Sequence, residues 1–220
     1  MRGVKIIYNG NEFHTANDYD LVQEKKKIDK PAVQSYMQEI PGRNGLLNLT
    51  KALTGRVTYN NRNIELQYCA VGKRSHLMNI DDIFTALHGK TLQIIDDDTP
   101  DYYYEGECTI ETEYFPGYLT IKIVLNAYPF MKAVNETRIV KKFNTVSGID
   151  LHIINNGEPV IPSISTHVSG STITCRGNVV NPYSFTYADI YKLELLHGVN
   201  VYTLQGDNPE LVITFREERL

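Results

Sequence analysis

Apolar and polar residues alternate along several segments of the chain, which is the pattern of half-buried β-strands. The clearest case runs from Leu119 to Leu125, where Leu or Ile occupies every second position. A second case, Leu211–Phe215, puts Leu, Ile and Phe on one face. Fifteen tyrosines and no tryptophan agree with a strand-rich protein, because aromatic side chains suit a pleated, half-buried surface.

Turn residues between the apolar segments predict three hairpins. Asn9-Gly10 separates two short strands and is a strong hairpin signal. Pro116-Gly117 fits a turn in which Pro fixes φ and Gly takes the positive-φ position. Asn60-Asn61 predicts a two-residue turn that pairs Tyr59 with Arg62. In that register one face carries Val57, Tyr59, Ile64, Leu66 and Tyr68.

One helix is predicted between Asn79 and Gly89. Asn79 is a good N-cap, Gly89 is a good terminator, and Asp81 and Asp82 in the first turn would favour the positive end of the helix dipole. The same two aspartates could be paired catalytic acids, but the helix terminus already explains them. The apolar residues at helical spacing are Ile80, Ile83, Phe84 and Leu87.

The composition changes after Pro129, which predicts a domain boundary between residues 1–132 and 133–220. Residues 131–150 are interpreted as a connector with an edge strand. From about residue 149 onward, short β segments separated by Gly, Asn and Pro predict a β-sandwich. These segments are VIPSISTHVSG, STITCRGN, YSFTY, VYTLQG and LVITFRE. The predicted fold class is mainly β with a minor α contribution.

Charge is distributed unevenly although the net charge is only −4, from 22 basic and 26 acidic residues. Neither predicted domain is basic, so neither is a nucleic-acid-binding module. Residues 91–121 hold eight acidic residues and no Lys or Arg. Four of them, Glu105, Glu107, Glu111 and Glu113, have the same parity and would project from one face of a continuous strand.

The segment Ile40–Gly45, IPGRNG, is rich in turn residues and raises the question of a phosphate loop. A P-loop needs Gly-Lys-Ser/Thr at a helix start, whereas Gly45 is followed by Leu-Leu and a strand-like pattern. Pro41, Gly42 and Gly45 are therefore predicted to serve the geometry of a turn.

No pattern predicts a catalytic centre, a metal site or a cofactor. The three cysteines are widely spaced, and the six histidines form no metal-binding motif. Asp96–Asp101, DDDTPD, lacks the spacing of a calcium loop and is better interpreted as a surface turn. Asp101–Gly106, DYYYEG, fits either sugar stacking or an ordinary strand.

No run of about 18 apolar residues predicts a membrane span. The opening MRGVKIIYNGNEF lacks the apolar region and cleavage site of a signal peptide. We therefore expect no membrane insertion and synthesis in a cytoplasm.

Several segments, in their order along the chain, resemble the distal tail protein (Dit) family of long-tailed phages that infect Gram-positive bacteria. The opening GVKIIYNGNEF is similar to the hairpin of that family, and IPGRNGLLNLTKALTG followed by VTYNNRNIELQY to its Pro-Gly-Arg-Asp-Gly segment and Arg-bearing hairpin. The helix region IDDIFTALHGKTLQIIDDD and the ending LTIKIVLNAYPF resemble the rest of its N-terminal domain. YYYEGECTI resembles the strand that pairs with this ending in the N-terminal domain, and HGVNVYTLQG and LVITFREERL resemble the last strands of the galectin-like domain of that family. His197-Gly198 and Leu220 depart from the family, which often has Pro-Gly and an aromatic residue there.

The resemblance implies an N-terminal ring-forming domain, barrel-like or sandwich-like, with one helix and a hairpin, followed by a C-terminal galectin-like β-sandwich. It also implies a homo-hexameric ring at the tail tip of a virion assembled in the host cytoplasm. The implied partners are the tail tube protein, the tape-measure protein or tail-associated lysin, and receptor-binding or baseplate proteins. No enzyme activity, cofactor or sequence-specific nucleic acid is implied.

Two other function classes compete with a structural subunit. A carbohydrate-binding adhesion module for host cell-wall sugars would use the Tyr-rich strand or the C-terminal sandwich. A wall hydrolase is the weaker alternative, because no catalytic pattern is present. For a ring, the face of Glu105–Glu113 is expected either to line the central passage, to be a solvated surface, or to meet a basic partner.

Overall fold

A computed structural model describes residues 2–42, 44–50, 55–166, 169–184 and 186–220, and the fold is mainly β. The chain divides into two compact units, one reaching Met131 and including Leu220, and the other spanning Lys132–Arg219. Among the described residues, no helix combines the length and the apolar character needed to cross a membrane.

The first unit contains eleven strands and two helices in its described part. The strands are β1 (Val4–Tyr8), β2 (Asn11–His14), β3 (Val22–Ile28), β4 (Val33–Gln34), β5 (Met37–Gln38), β6 (Leu47–Asn48), β7 (Thr58–Tyr59), β8 (Arg62–Val71), β9 (Thr91–Asp96), β10 (Tyr102–Phe115) and β11 (Tyr118–Ala127). The helices are α1 (Thr15–Tyr19) and α2 (Arg74–Thr85).

In the remaining chain, β12 (Met131–Ala133) lies at the division between the units. The second unit then contains β13 (Thr137–Asn155), β14 (Ser163–Thr166), β15 (Ser171–Cys175), β16 (Asn178–Val180), β17 (Gly198–Phe215) and β18 (Glu218–Arg219). Its helices are α3 (Tyr187–Ile190) and a 3-10 turn at Tyr191–Leu193.

An antiparallel sheet organises the first unit, with its strands in the order β2-β1-β9-β10-β11-β8-β3. Alternate side chains of the central strands point to one face, where Leu119, Ile121 and Ile123 of β11 are fully buried. Leu77, Ile80 and Phe84 of α2 belong to the same core. The alternation in the sequence therefore predicts the buried face of the central strands correctly.

Two of the three predicted hairpins are confirmed. Strands β1 and β2 pair directly across Asn9 and Gly10, which both have positive φ, of 50° and 77°. Strands β10 and β11 pair across Pro116-Gly117, where Gly117 has a φ of 87°. These backbone conformations are the ones that Asn and Gly adopt at low cost.

The third predicted hairpin, around Asn60-Asn61, is wrong. Neither Asn has a positive φ, and β7 pairs with β4, through Tyr59 and Val33, rather than with β8. The reason is that β8 has no free edge, because β11 occupies one side of it and β3 the other. The alternation within β8 is confirmed, since Arg62, Ile64, Leu66, Tyr68 and Ala70 are buried on one face.

The predicted helix exists, but α2 begins five residues before Asn79. Its N-cap, Lys73, makes no side-chain capping hydrogen bond, so the start carried no capping signal in the sequence. Leu77 extends the buried stripe by one turn, whereas Ile83 is partly exposed. Asp81 and Asp82 therefore lie in the middle of the helix, and the interpretation of them as first-turn residues is wrong.

Residues 30–61, which we call the arm, lie outside the main sheet. Strand β3 is still paired at Asp29, whose N–H donates to the Asn63 carbonyl, and β8 begins at Arg62. Between these points the described strands pair only with one another, β4 with β7 and β5 with β6. No described residue of the arm belongs to the hydrophobic core. The arm therefore projects as a local structure without a core of its own.

The second unit is built around the long antiparallel pair of β13 and β17. Its sheet has the order β13-β17-β15-β16, and β14 pairs with the C-terminal half of β17. Two register shifts interrupt the pairing of β13, so the strands bend rather than run straight. Tyr202, Leu204 and Ile213 of β17 are fully buried in a core separate from that of the first unit.

Three predictions for this unit need correction. Most of the predicted connector at residues 131–150 belongs to β13, so the connector is wrong, whereas the edge strand expected there is confirmed because β13 lies at the edge of its sheet. VYTLQG and most of LVITFRE are parts of one strand, β17. The described residues of YSFTY form a turn and the start of α3. Phe185 of that segment and His167 and Val168 of the preceding one lie outside the described residues.

Gly106 provides a test of the central sheet. A Cβ at this position would lie 2.3 Å from the carbonyl oxygen of Asn126 and 2.5 Å from the Cα of Ala127. We predict that Gly106→Ala lowers the free energy of unfolding by about 3 kcal/mol, measured by urea denaturation, because backbone must move. The matched control is Gly72→Ala, whose Cβ would meet a movable side chain, His76, at 3.1 Å. If both variants lowered the free energy of unfolding by the same amount, the register that pairs Gly106 of β10 with Ala127 of β11 would be contradicted.

Candidate functional site

Side chains that could carry chemistry in the described part of the chain include possible metal ligands and cysteine thiols. No three His, Cys, Asp or Glu side chains there are placed to hold a metal ion. Cys69, Cys108 and Cys175 are free thiols, and burial raises the pKa of Cys108 to about 12, so this thiol stays protonated at neutral pH. The candidate functional features are therefore surfaces: the face of β10, the arm, and a cleft beside α2.

The predicted acidic face lies on β10, which is one continuous strand of 14 residues. Glu107, Glu111 and Glu113 are exposed, and Glu105 is half-buried, where it accepts a hydrogen bond of 3.3 Å from Gln93. Lys122 on the neighbouring strand forms an ion pair of 2.8 Å with Glu111. Among the described residues, Glu107 and Glu113 have no ion pair, so the face keeps a negative charge.

The lysine-rich strand β3 adds positive charge at the far edge of the same sheet. Lys25 lies 3.0 Å from Glu65 of β8, and its hydrogen bond lowers the pKa of this carboxyl. The Lys25 side chain is 55% exposed and that of Glu65 is 26% exposed, so solvent screens this pair and it contributes little to stability. The outer surface of the sheet therefore changes from basic at β3 to acidic at β10.

The acidic turn after β9 is tied to the sheet by Lys26. The Lys26 ammonium lies 2.7 Å from the Asp96 carboxylate and 2.5 Å from that of Asp98. Burial alone would lower the pKa of Lys26, but these hydrogen bonds raise it above its ordinary value. Asp96 is only 5% exposed, so the turn is partly internal rather than entirely at the surface. Its carboxylates are used to fasten β9 to β3.

Asp97, in the same turn, is held by His14. Nδ1 of His14 accepts the N–H groups of Ala16 and Asn17 at the start of α1, so Nε2 carries the proton and donates to Asp97 at 3.0 Å. Burial alone would raise the pKa of Asp97, yet the hydrogen bonds from His14 and from the Gly3 N–H hold it below its ordinary value. No local pattern in the sequence signals this contact, because its partners are 83 positions apart.

The base of the arm is fixed by a buried arginine and three aromatic rings. Arg62 is 5% exposed, donates to the carbonyl of Pro129, and lies 5.4 Å from the centre of the Tyr104 ring. The ring of Phe130 packs edge-on against Tyr59 of the arm, at 5.6 Å, and also against Tyr128. The AYPF ending of the first unit therefore holds the arm where it leaves the sheet.

The loop that contains Pro41, Gly42 and Gly45 connects β5 and β6 at the end of the arm. Gly42 and Gly45 have positive φ, of 81° and 77°, and a Cβ at either would meet no atom within 4 Å. The loop is exposed, and Arg43 within it lies outside the described residues. Glycine is thus required by backbone conformation rather than by lack of space.

The Tyr-rich segment considered for sugar stacking is mostly internal. Tyr103 and Tyr104 are 8% and 5% exposed, which leaves no free ring face for a sugar. Tyr183 and Tyr191 of the second unit are about half exposed but do not form a stacked pair with each other.

A cleft of about 570 Å³ lies between α2 and the turn of the β10–β11 hairpin, and we call it the hairpin-tip cleft. Leu77 of α2 is buried at its floor, while Met78 and Tyr114 are 48% and 46% exposed along it. The Tyr114 hydroxyl donates to Asp81 at 2.9 Å, which fixes the ring against the helix. Asp82 gives the rim a further carboxylate. Sequence reasoning missed this cleft, because its two walls are far apart in the chain.

Lys26 provides a test of the fastened turn. We predict that Lys26→Met lowers the free energy of unfolding at pH 7 by about 1–2 kcal/mol, because buried Asp96 loses its cation while Lys26 itself is partly exposed. The hydrogen bond from Lys26 also holds the pKa of Asp98 below its ordinary value. The stability that Lys26 contributes through Asp98 is therefore fully present above the ordinary Asp pKa of about 4, and it is lost as the pH falls through the lowered pKa.

The measurement is urea denaturation of both proteins between pH 7 and pH 3. The control is Lys25→Met, which breaks the exposed pair with Glu65 and should change stability by less than about 0.5 kcal/mol. If the difference in the free energy of unfolding between Lys26→Met and the wild type stayed constant down to pH 3, the proposed stabilisation by the Lys26 ion pairs would be contradicted.

Comparison with known proteins gives one kind of match, and it is structural. No protein-family model matches the sequence, and no curated protein matches it. Among solved structures, the chain is similar to the SPP1 Dit (gp 19.1) protein, described as a paradigm of the hub adsorption apparatus in phages that infect Gram-positive bacteria. The TM-score is 0.65 over 99% of each chain, at 15% sequence identity. The chain therefore has the fold of a distal tail protein, as the order of its sequence motifs predicted.

Proposed function

We propose that this chain is a structural subunit of a phage tail tip, a distal tail protein that joins the tail tube to the host-adsorption apparatus. The observation that carries the proposal is the match over 99% of both chains, because it includes both units in the same order rather than one common domain. In this role the subunit belongs to the virion and is assembled in the host cytoplasm.

The function requires shape and self-association rather than chemistry. We propose that six copies form a closed ring through the N-terminal domain that the sequence predicts over residues 1–132, since a head-to-tail ring satisfies the same interface on every subunit and leaves no open end. The arm supports self-association, because it exposes Val33, Tyr36 and Leu46 by 55%, 66% and 61% without contributing to a core. Large apolar side chains that are exposed in this way are typical of interaction sites.

The C-terminal domain predicted over residues 133–220 is proposed to be a galectin-like β-sandwich that faces receptor-binding or baseplate proteins. The first unit is proposed to contact the tail tube and the tape-measure protein or tail-associated lysin. No cofactor has a role in this mechanism.

The acidic face of β10 is proposed to line the central passage of the ring. DNA must move through that passage without adhering, and Lys- or Arg-rich walls would bind it. Glu107, Glu111 and Glu113 are exposed on one strand, with Lys122 paired to Glu111, and these carboxylates give a surface that repels DNA once it is repeated around a ring.

The hexamer is tested by light scattering and electron microscopy of the purified protein at increasing concentration. We expect a particle of six times the 25.1 kDa subunit mass. Gly42→Val should weaken assembly, because a β-branched residue at φ 81° strains the arm's end loop, while circular dichroism and thermal unfolding remain close to wild type. Normal rings of Gly42→Val would contradict an assembly role for this loop.

The lining of the passage is tested with the double variant Glu107→Lys/Glu113→Lys. We expect assembled rings of this variant to bind double-stranded DNA in a salt-sensitive manner, whereas wild-type rings do not. The control is Glu210→Lys, an exposed residue of the second unit. Equal DNA binding by the control would show a general charge effect and contradict the proposed lining.

A further inference from the structure

We propose that the hairpin-tip cleft of one copy receives the arm of a neighbouring copy. This inference rests on the proposed ring and names its two contacting surfaces. A head-to-tail interface needs a donor surface and a different acceptor surface on the same subunit. The first unit carries one candidate for each.

The acceptor is an apolar cleft with an acidic rim. Met78 and Tyr114 are about half exposed, and Pro116 at the hairpin turn forms part of the same wall. When a partner covers apolar side chains of this size that are half exposed to water, the free energy of the complex is lowered. Asp81 and Asp82 on the rim outnumber the single cation of the cleft, Arg74. The cleft therefore suits an apolar segment with positive charges beside it.

The arm of this same chain has that chemistry. Several of its apolar side chains are exposed, Tyr36 by 66%, Leu46 by 61% and Met37 by 49%. Among the described residues of the arm, Lys30 and Arg56 are basic and Glu39 is acidic, so this part carries a net positive charge, whereas the whole chain is −4. A second copy of the chain is thus the occupant that the charges and exposed apolar groups of both surfaces favour.

Contacts at the base of the arm favour its docking on a neighbouring copy. Tyr59 packs on Phe130, and Asn60 donates its N–H to the carbonyl of Ala32, so the two ends of the arm leave the sheet together. Beyond this point the short strands pair only within the arm. Presenting a preorganised segment lowers the entropy that is lost on docking.

The first test changes the cleft. Met78→Glu adds a charge where an apolar side chain should insert, and its half-exposed position should allow the subunit to fold normally. We expect the concentration needed for ring assembly to rise at least about tenfold, measured by light scattering. The matched control is Asn79→Glu, which adds the same charge to an exposed neighbouring position of α2 that does not line the cleft, and it should assemble as the wild type does.

The second test identifies the contact directly. A photoreactive benzoylphenylalanine in place of Tyr36 is activated in the full-length assembled protein, and covalent dimers are mapped by mass spectrometry. We expect the cross-link in the α2 or β10–β11 peptides of another copy. If wild-type rings gave cross-links elsewhere, the proposed docking site would be wrong. It would also be wrong if Met78→Glu assembled at the wild-type concentration. Neither result would contradict the proposal that the chain forms a ring. A wild-type protein that forms no ring at any concentration would overturn both proposals.

Discussion

The pairing of β8 on both of its edges is the constraint on which the rest of the first unit depends. Because β11 and β3 occupy those edges, the residues just before β8 cannot continue the sheet. They form the arm instead, with short local strands and apolar side chains that face solvent. A subunit built in this way is stabilised by its central sheet and still exposes apolar surface that can be buried against a partner. A protein that self-associates needs both properties.

Two polar devices stabilise this arrangement where hydrophobic packing ends. Arg62 connects the base of the arm to the Pro129 carbonyl and the Tyr104 ring, and Lys26 fastens the turn after β9 to β3. Both cations are matched by groups far away in sequence, so they fix the ends of strands that alternation alone would leave free. The carboxylates of the acidic turn therefore bind Lys26 and connect the turn to β3.

Local patterns in the sequence predicted those elements whose partners are adjacent in the chain. The alternation in β11 and the Asn9-Gly10 and Pro116-Gly117 turns fall in this class, since each is determined by two or three neighbouring residues. The hairpin at Asn60-Asn61 failed because competition from β11 and β3 for the edges of β8 is not visible locally. The hairpin-tip cleft and the His14–Asp97 contact were missed for the same reason, as their parts meet only in the folded chain. The start of α2 was misplaced because Lys73 provides no capping side chain.

The decisive experiment is an electron cryo-microscopy reconstruction of a tail tip that contains this chain. We expect six copies around the tail axis, joined through their first units, with every arm seated on the adjacent copy. A chain found as a single copy, placed away from the axis, or present with its arms in solvent would contradict it.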